Sequence, residues 1–330
     1  MKKIRFWLKN ARPVSLPQSI FPAVLAAMMA FHSSGFSLLY SILAITGVVF
    51  LHLSMNLFDD YFDYKNHDVK IRNALAGNKT FSRVGKCSYL VSKEASLREL
   101  FFVATLFLLF ATVLGGIIFL NRGIFILYLM LIGGILGITY SAKPFCLSYR
   151  GLGELTVGIM FGPLLMTGVF YASCGDYMPS VGIVSVSVGL LVVNILFTHS
   201  ILDYHPDKYV RKKTLAVLIK STKVQFIFSC FFTLSPFVLI VYGIVRDYLS
   251  VWYALVLFTF PLGLYLIYSI DAFFRYPQKQ FTPCFLMGPM ENWERRKQNG
   301  IAWFSFRWFL SRNLTMFFCL LAMIASILSF

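Results

Sequence analysis

Charged residues are scarce in this chain of 330 residues, and acidic residues are the scarcest of them. Asp, Glu, Lys and Arg make up only 13% of the sequence, against about a quarter in an ordinary soluble domain. Of these residues 30 are basic and 14 acidic, while hydrophobic residues reach 58% of the chain. This composition excludes an ordinary water-soluble globular protein and indicates a membrane protein with several spans.

Cysteine pairs with metal-ligand spacing are also missing. The chain has 6 cysteines, at positions 87, 146, 174, 230, 284 and 319, and none forms a C-x-x-C or similar motif. We therefore predict that they are packing residues and surface thiols. The basic segment 1–13 has no small-residue cleavage site before the first apolar run, so we expect no cleaved signal peptide.

Long apolar runs are abundant, and each transmembrane helix needs about 20 mostly apolar residues. Nine runs meet this length, and we predict an all-α, polytopic membrane protein with nine transmembrane helices and a single domain over 1–330. The predicted spans are 16–33, 37–57, 98–120, 123–141, 153–174, 181–202, 224–245, 249–271 and 309–329.

The basic residues predict the orientation. All lysines and arginines except Arg122 and Arg246 fall in five segments that nine spans place on one side of the membrane. By the positive-inside rule this side is the cytoplasm, with the N-terminus there and the C-terminus opposite. Anionic lipid, rather than nucleic acid, is the expected neighbour of this charge. No protein partner is predicted.

Three of the segments outside the predicted spans have a predicted role. Residues 1–13 mix cations with Phe6, Trp7 and Leu8, which is typical of an interfacial amphipathic helix. The long segments 59–97 and 272–308 are predicted to be loops on the cytoplasmic side. The first is a candidate lid, and the second, rich in tryptophan and arginine, suits the lipid headgroup layer.

Carboxylates gather at the predicted cytoplasmic ends of spans two and six. The first cluster contains Asp59, Asp60, Asp63 and Asp68, and the second contains Asp203 and Asp207. Asp59 and Asp63 are four residues apart, as are the two members of the second cluster, so each pair shares one face of a helix. Like charges at this spacing favour a bound cation. We predict a cytoplasmic-side, Asp-rich cavity that holds Mg²⁺, which is usually bound by a few carboxylates together with substrate phosphates.

Four cations are candidates to neutralise those phosphates: Lys143, Arg150, Lys212 and Lys213. Charge of this kind on the cytoplasmic side is also what membrane topology alone requires. Lys143 is the best candidate because it stands almost alone in a short loop between two apolar runs.

Four stretches in the same order resemble the UbiA superfamily of intramembrane prenyltransferases, and within it the 1,4-dihydroxy-2-naphthoate polyprenyltransferases. Residues 7–17 resemble the opening W-L-x-x-A-R-P-x-x-L-P, and the stretch from Asn56 to Asp68 resembles the first Asp-rich motif. Residues 149–162 resemble the G-L-G-[DE] stretch and its sequel, and residues 203–217 resemble the second motif, D-x-x-x-D followed by G-K-x-T-L-A-V.

The chain departs from the family pattern at several positions. Asp59 stands where asparagine is usual, Asp68 is one position off the expected spacing, and Arg211 replaces a glycine. Ser200-Ile-Leu-Asp203 replaces the usual N-L-R-D. Pro206 lies inside the second motif, which is compatible with a helix only if Asp203 ends one helix and Pro206 opens the next.

The resemblance implies a Mg²⁺-dependent transfer of a polyprenyl group from a prenyl diphosphate to an aromatic acceptor, which we expect to be 1,4-dihydroxy-2-naphthoate in menaquinone biosynthesis. It implies that Mg²⁺ is held by the two Asp clusters, with Asp63, Asp203 and Lys143 as the catalytic candidates. Arg12 and Asn56 are candidates to orient the acceptor or the diphosphate. In a bacterial host the expected location is the cytoplasmic membrane.

Other functions stay open at this point. The same fold could use 4-hydroxybenzoate, homogentisate, haem or a glycerol phosphate as acceptor. A CDP-alcohol phosphotransferase also uses Asp clusters with metals, but its D-x-x-D-G-x-x-A-R signature is missing. A cation transporter is disfavoured because transporters place charge near the bilayer midplane, whereas these aspartates follow the apolar runs.

Overall fold

The computed structural model describes residues 2–66, 87–277 and 279–329. These residues form helices joined by turns, and within them the only β-type pairing is an isolated bridge between Arg150 and Lys213. Eight of the described helices are long and apolar enough to cross a membrane. The predicted all-α membrane architecture is confirmed.

Ten helices make up the bundle, and their bounds in chain order are as follows: α1 Lys2–Asn10, α2 Pro17–Met29, α3 Leu38–Asn66, α4 Leu97–Arg122, α5 Ile124–Ser141, α6 Gly153–Cys174, α7 Pro179–Leu202, α8 Thr222–Val245, α9 Val251–Arg275 and α10 Ala302–Leu328. A π-helical turn, Met160–Leu164, interrupts α6 where Pro163 removes a backbone donor. Short helices lie at Ser88–Val91, Tyr204–Tyr209, Leu215–Ile219 and Trp293–Gln298.

The first predicted span, 16–33, contains a helix that is shorter than a transmembrane helix. Helix α2 has only 13 residues, so it is about 20 Å long, less than the roughly 30 Å of a bilayer core. Most of its side chains are buried, and it packs against α6 and α10. The apolar run continues beyond Met29, but the chain turns there, so the predicted count of nine spans is not confirmed for the described residues.

Two predicted loops are shorter than the sequence suggested. Helix α3 continues to Asn66, so Asp59, Asp60 and Asp63 lie on its last turns, not in a loop beginning at residue 59. No proline or glycine interrupts the stretch from Asn56 to Asn66, and the helix therefore continues. Residues 67–86, which include Asp68, lie outside the described residues. At the other end of the chain, α9 reaches Arg275 and α10 begins at Ala302, which leaves 276–301 as the connection.

Helices α6 and α7 touch backbone to backbone. A Cβ at Gly162 would lie 2.5 Å from the Cα of Gly189, and one at Gly158 would lie 2.3 Å from a methyl group of Val193. Small residues four apart allow membrane helices to approach closely. This contact brings the start of α6 next to the end of α7, where the second Asp cluster lies.

Candidate active site

A cavity of about 1280 Å³ lies inside the bundle at the end where α3 and α7 terminate. Residues from α1 to α7 and from α10 line it. Charged side chains line the end of the cavity near the terminus of α3, which we call its mouth, and apolar side chains of α3 to α6 line its interior. The lining residues with Asp, Glu, Lys or Arg side chains are Lys9, Arg12, Asp59, Asp60, Asp63, Glu94, Glu154, Lys212 and Arg296.

Helix α3 contributes a stripe of graded polarity to the cavity. Val48 and Leu51 are apolar, His52 and Asn56 are polar, and the aspartates follow toward the end of the helix. Because residues three or four apart share a helix face, these side chains line one wall in order of increasing charge. A ligand in the cavity meets hydrocarbon at one end and carboxylates at the other.

Arg12 holds the first two aspartates of this stripe. Its guanidinium lies 3.4 Å from Asp59 Oδ2 and also forms an ion pair with Asp60. The residue has φ of 59°, in the left-handed region, which ends α1 and turns the side chain back toward α3. Although burial opposes the charge, the carboxylate of Asp59 and other acidic neighbours raise the pKa of Arg12 above its ordinary value.

Three hydroxyl groups donate to the carboxylates of the first cluster. Ser141 Oγ donates to Asp59 Oδ1 at 2.7 Å, Tyr89 Oη donates to Asp60 Oδ2 at 3.0 Å, and Tyr149 Oη donates to Asp63 Oδ1 at 3.2 Å. Burial raises the pKa of Tyr89, which keeps its hydroxyl group protonated as a donor. Asp60 and Asp63 are both buried. These bonds fix the carboxylate orientations and leave other oxygen lone pairs for a ligand.

The second cluster lies deeper in the protein wall. Asp203 ends α7 and Asp207 is on the helix Tyr204–Tyr209; both are buried, and neither lines the cavity. Nε2 of His199 lies 3.8 Å from Asp203 Oδ2, and His199, Ser200 and Lys212 form the cavity surface beside them. The short helix starts after Asp203, so Pro206 falls in its first turn, where a missing N–H is tolerated.

Glu154 joins the end of α7 to the segment that follows the second Asp cluster, and it was not among the predicted residues. Its Oε1 accepts hydrogen bonds from Ser200 Oγ at 2.6 Å and from the backbone N–H of Leu215 at 3.1 Å. The bridge between Arg150 and Lys213 joins the same two stretches. The sequence did carry a signal, because Glu154 is the one acidic residue between Glu99 and Asp176 and stands at the head of an apolar run.

The predicted cations separate into two groups. Lys212 lines the cavity, with its Nζ 5.6 Å from the centroid of the Tyr149 ring. Lys143, Arg150 and Lys213 are exposed and are not part of the lining, and Arg150 donates to the carbonyl of Pro144 at 2.7 Å. The roles predicted for these three residues stay predictions. Lys9 and Arg296 line the cavity instead, and neither was a predicted site residue.

A hydrogen-bonded polar group lies next to the carboxylates. Nε2 of His52 lies 3.1 Å from Ser15 Oγ, and Nδ1 lies 2.7 Å from Ser19 Oγ. Asn56 donates to the carbonyl of Ala11 at 2.9 Å and to Ser15 Oγ at 3.1 Å. Asn56 is therefore at the predicted site, whereas His52, a histidine inside an apolar run, was missed.

Glycine and methionine form much of the apolar wall. A Cβ at Gly115 would lie 2.7 Å from Met130 Cε, and a Cβ at Gly137 would lie 2.8 Å from Met55 Sδ. All four residues line the cavity. The width of the interior is thus set by unbranched thioether side chains that lie against bare backbone.

The donor set suits Mg²⁺ bound together with a phosphorylated substrate. No three His, Cys, Asp or Glu side chains among residues 2–66, 87–277 and 279–329 are grouped closely enough to form a metal cage. Mg²⁺ rarely uses such a cage and usually takes one or two carboxylates, with phosphate and water as the other ligands. Asp59 and Asp63, one helical turn apart on the cavity wall, meet that requirement.

Comparison with known proteins identifies the family. The model of the UbiA prenyltransferase family matches residues 19–286. The chain belongs to this family. It is therefore a prenyltransferase, and the eight long apolar helices among its described residues are those of an integral membrane enzyme. Solved members share its fold: a digeranylgeranylglyceryl phosphate synthase superposes with a TM-score of 0.63 and 17% identity, over 98% of this chain and 100% of that one.

Several relatives of this UbiA prenyltransferase have assigned substrates. The 1,4-dihydroxy-2-naphthoate octaprenyltransferase of Escherichia coli is 24% identical over 269 residues, which is 79% of this chain and 83% of the relative. The 2-carboxy-1,4-naphthoquinone phytyltransferase of Synechocystis is 27% identical over 64% of each chain. A UbiA homologue from Archaeoglobus fulgidus, solved with DMAPP and Mg²⁺, superposes with a TM-score of 0.57 at 17% identity, over 92% of this chain and 98% of that one.

Proposed function

We propose that this prenyltransferase transfers a polyprenyl group from a prenyl diphosphate to 1,4-dihydroxy-2-naphthoate, with Mg²⁺ as cofactor. The observation that carries the proposal is the graded wall of α3, which leads from apolar residues through His52 and Asn56 to Asp59 and Asp63 in one cavity. A prenyl diphosphate has the same gradient, with a hydrocarbon tail and an anionic head. The naphthoate relatives support the choice of acceptor.

The diphosphate of the donor belongs at the mouth of the cavity. Asp59 and Asp63 would hold Mg²⁺ from the wall of α3. Asp203 at the end of α7, Asp207 on the helix Tyr204–Tyr209 and Asp68 in the sequence after Asn66 would complete the set of carboxylates. When bound, Mg²⁺ stabilises the negative charge that develops on the leaving diphosphate. Of the predicted cations, Lys212 is the one that lines the cavity, and it would bind the same diphosphate.

Bond breaking and bond making occur between the mouth and the interior. The C1–O bond of the allylic donor breaks, and its electron pair leaves with the diphosphate. C1 then bonds to the ring carbon that carries the acceptor carboxylate. The carboxylate departs as CO₂, and the electron pair of its bond restores the aromatic ring. The apolar walls exclude water, which would otherwise capture the allylic cation.

The acceptor ring belongs between the anionic mouth and the apolar interior. Helix α3 rises 1.5 Å per residue, so His52 and Asn56 lie about 5 to 10 Å from Asp59 along the helix axis. Their hydrogen-bonding groups can orient the acceptor hydroxyls. Asn56 donates a hydrogen bond to the carbonyl of Ala11, the residue before Arg12. The guanidinium of Arg12 is therefore near enough to Asn56 to attract the carboxylate of the acceptor.

The decisive experiment is an assay of the purified protein in detergent. Prenyl diphosphates and Mg²⁺ are supplied with 1,4-dihydroxy-2-naphthoate, 4-hydroxybenzoate or homogentisate, with EDTA as the control, and products are identified by mass spectrometry. We expect a Mg²⁺-dependent prenylated and decarboxylated naphthoquinol. Product with only another acceptor would overturn the naphthoate assignment and keep the prenyltransferase mechanism.

The orientation in the membrane is part of the proposal. The basic residues support a cytoplasmic N-terminus and a cavity that opens on the cytoplasmic side, in a bacterial cytoplasmic membrane if the host is bacterial. Labelling of single cysteines with a membrane-impermeant maleimide tests this. We expect a cysteine at Lys93 to react only in inverted vesicles and one at Asp247 to react only in intact cells.

A further inference from the structure

Arg296 lines the cavity, yet nothing in the reaction described so far uses it. It lies on the short helix Trp293–Gln298 in the connection 276–301. The match to the family model ends at residue 286, so this part of the wall lies outside the matched region. Its position needs a separate explanation.

The connection is fixed in place by two polar residues of α10. Arg312 Nη2 donates to the carbonyl of Pro289 at 3.0 Å, and Asn313 Nδ2 donates to the carbonyl of Met287 at 2.8 Å. Arg312 Nη1 also forms an ion pair with Glu291 at 3.0 Å. Both α10 side chains are completely buried. Buried arginines in membrane helices are rare and need partners of this kind, and here the partners hold the connection against the end of the bundle.

Arg296 is oriented by bonds to the same connection. Its Nε donates to the carbonyl of Glu291 at 3.0 Å, and its Nη1 donates to Ser305 Oγ at 3.2 Å. The guanidinium lies 4.7 Å from the centroid of the Phe309 ring. The side chain is half-buried, and these contacts hold it at the cavity wall.

Arg296 shares its aromatic neighbour with a second cation. Arg312 lies over the same Phe309 ring, at 4.6 Å, so two guanidinium groups contact one side chain. The carboxylate of Glu291 pairs with Arg312, and among the residues that the structure describes no carboxylate forms an ion pair with Arg296. Burial lowers the pKa of Arg296, Glu291 opposes this effect, and the charge of Arg312 adds to it to a smaller extent. An anion in the cavity would give the guanidinium a direct counter-charge.

The neighbours of Arg296 indicate which anion this is. Ser305 is followed along α10 by residues of the same wall, and Phe304 packs against the ring of His199, with centroids 5.3 Å apart. His199 in turn lies 3.8 Å from Asp203. Arg296 thus lines the cavity on the side of the second Asp cluster. The diphosphate of the donor is the anion expected at this place.

We propose that Arg296 binds the diphosphate of the prenyl donor and forms, with Lys212, the cationic half of the donor site. The inference rests on the proposed prenyl transfer but does not depend on which acceptor is used. Two faces of the cavity then act on the same group: carboxylates through a metal ion, and a guanidinium directly, through charge-assisted hydrogen bonds to phosphate oxygens.

The test compares Arg296→Gln and Arg296→Lys with the control Arg295→Gln, which changes an exposed neighbour on the same short helix. The Kd of a non-cleavable prenyl thiodiphosphate is measured calorimetrically in Mg²⁺, and the KM of each substrate is measured where transfer is observed. We expect Arg296→Gln to weaken analogue binding roughly ten-fold, the loss expected for one charge-assisted bond. Arg296→Lys should recover part of it, and Arg295→Gln should match the wild type.

Three results would decide against the proposal. Unchanged analogue binding in Arg296→Gln removes Arg296 from the donor site. A rise in the acceptor KM with unchanged analogue binding assigns the guanidinium to the acceptor carboxylate instead. Equal losses in Arg296→Gln and Ser305→Ala, with a lowered melting temperature in both, assign Arg296 to the stability of the connection. Because analogue binding needs no acceptor, failure of naphthoate prenylation leaves this test intact.

Discussion

The hydroxyl of Ser200 donates a 2.6 Å hydrogen bond to the carboxylate of Glu154. Ser200 lies three residues before Asp203 on α7, and Glu154 lies in the first turn of α6. The same carboxylate oxygen accepts from the backbone of Leu215. A buried acid on one helix therefore sets the position of the second Asp cluster and of the segment that carries Lys212.

Replacing this acid tests its structural role. Glu154→Ala leaves Ser200 and the N–H of Leu215 without their partner, which costs about 1–3 kcal/mol for each buried group. We expect a lower melting temperature in detergent and weaker binding of the donor analogue. Glu294→Ala, which removes an exposed carboxylate, is the control and should change neither. A Glu154→Ala protein as stable as the wild type would contradict this account.

Neutralising the aspartates should stop the reaction without unfolding the protein. We predict that Asp63→Asn and Asp203→Asn abolish turnover, because an amide cannot replace a carboxylate as a ligand for Mg²⁺. Membrane insertion and gel-filtration behaviour should stay normal. Asp247→Asn is the matched control, since Asp247 is exposed and its φ of 58° is well tolerated by asparagine. Wild-type rates in either site variant would rule out the metal site.

Arg12 and Mg²⁺ should compete electrostatically for the first cluster. Arg12→Gln removes a cation that pairs with Asp59 and Asp60, so the carboxylates become more attractive to a metal ion. We expect the melting temperature to respond to Mg²⁺ at a several-fold lower concentration than in the wild type, since ligand binding stabilises the folded state. Ca²⁺ should act similarly and Na⁺ should not. No change in the Mg²⁺ response would show that the metal binds elsewhere.

The contact between α6 and α7 should tolerate no side chain. Gly162→Ala places a methyl group 2.5 Å from both the Cα of Gly189 and the carbonyl oxygen of Ser185. We expect a loss of about 1–3 kcal/mol, typical of overpacking, and a lower yield of folded protein. Gly116→Ala is the control, because a Cβ there meets no atom within 4 Å. Equal yields of the two variants would mean that the helices can separate at no cost.

The sequence alone predicted the features that depend on residues close together in the chain, such as the helices and the Asp pairs. Asp59 and Asp63 share one face because they are four residues apart on a helix. The apolar runs form helices because a helix satisfies the backbone hydrogen bonds of a membrane span within the span itself. The UbiA resemblance rested on stretches that lie together in the structure, such as residues 149–154 and 212–215. These features need no knowledge of distant contacts.

Features that depend on long-range packing could not be predicted in this way. Arg296 and the aspartates of α3 are more than 200 residues apart in sequence, and their placement on one cavity follows from the bonds of Arg312 and Asn313 to the connection. Lys143 looked isolated in sequence, yet its side chain is exposed, while Lys212 faces the cavity. Helix α2 is short because the chain turns early to pack α2 between α6 and α10, which hydropathy does not record.

The methionines that lie against Gly115 and Gly137 bear on which prenyl tails the cavity accepts. Branched side chains have few conformations and would fix the width of the interior. Met55 and Met130 can rotate about three bonds with little change in energy, so donors with different numbers of isoprene units can be seated without rebuilding the wall. We therefore expect the length of the product in the cell to follow the prenyl diphosphate that its synthase supplies, and the enzyme to accept shorter and longer donors in vitro.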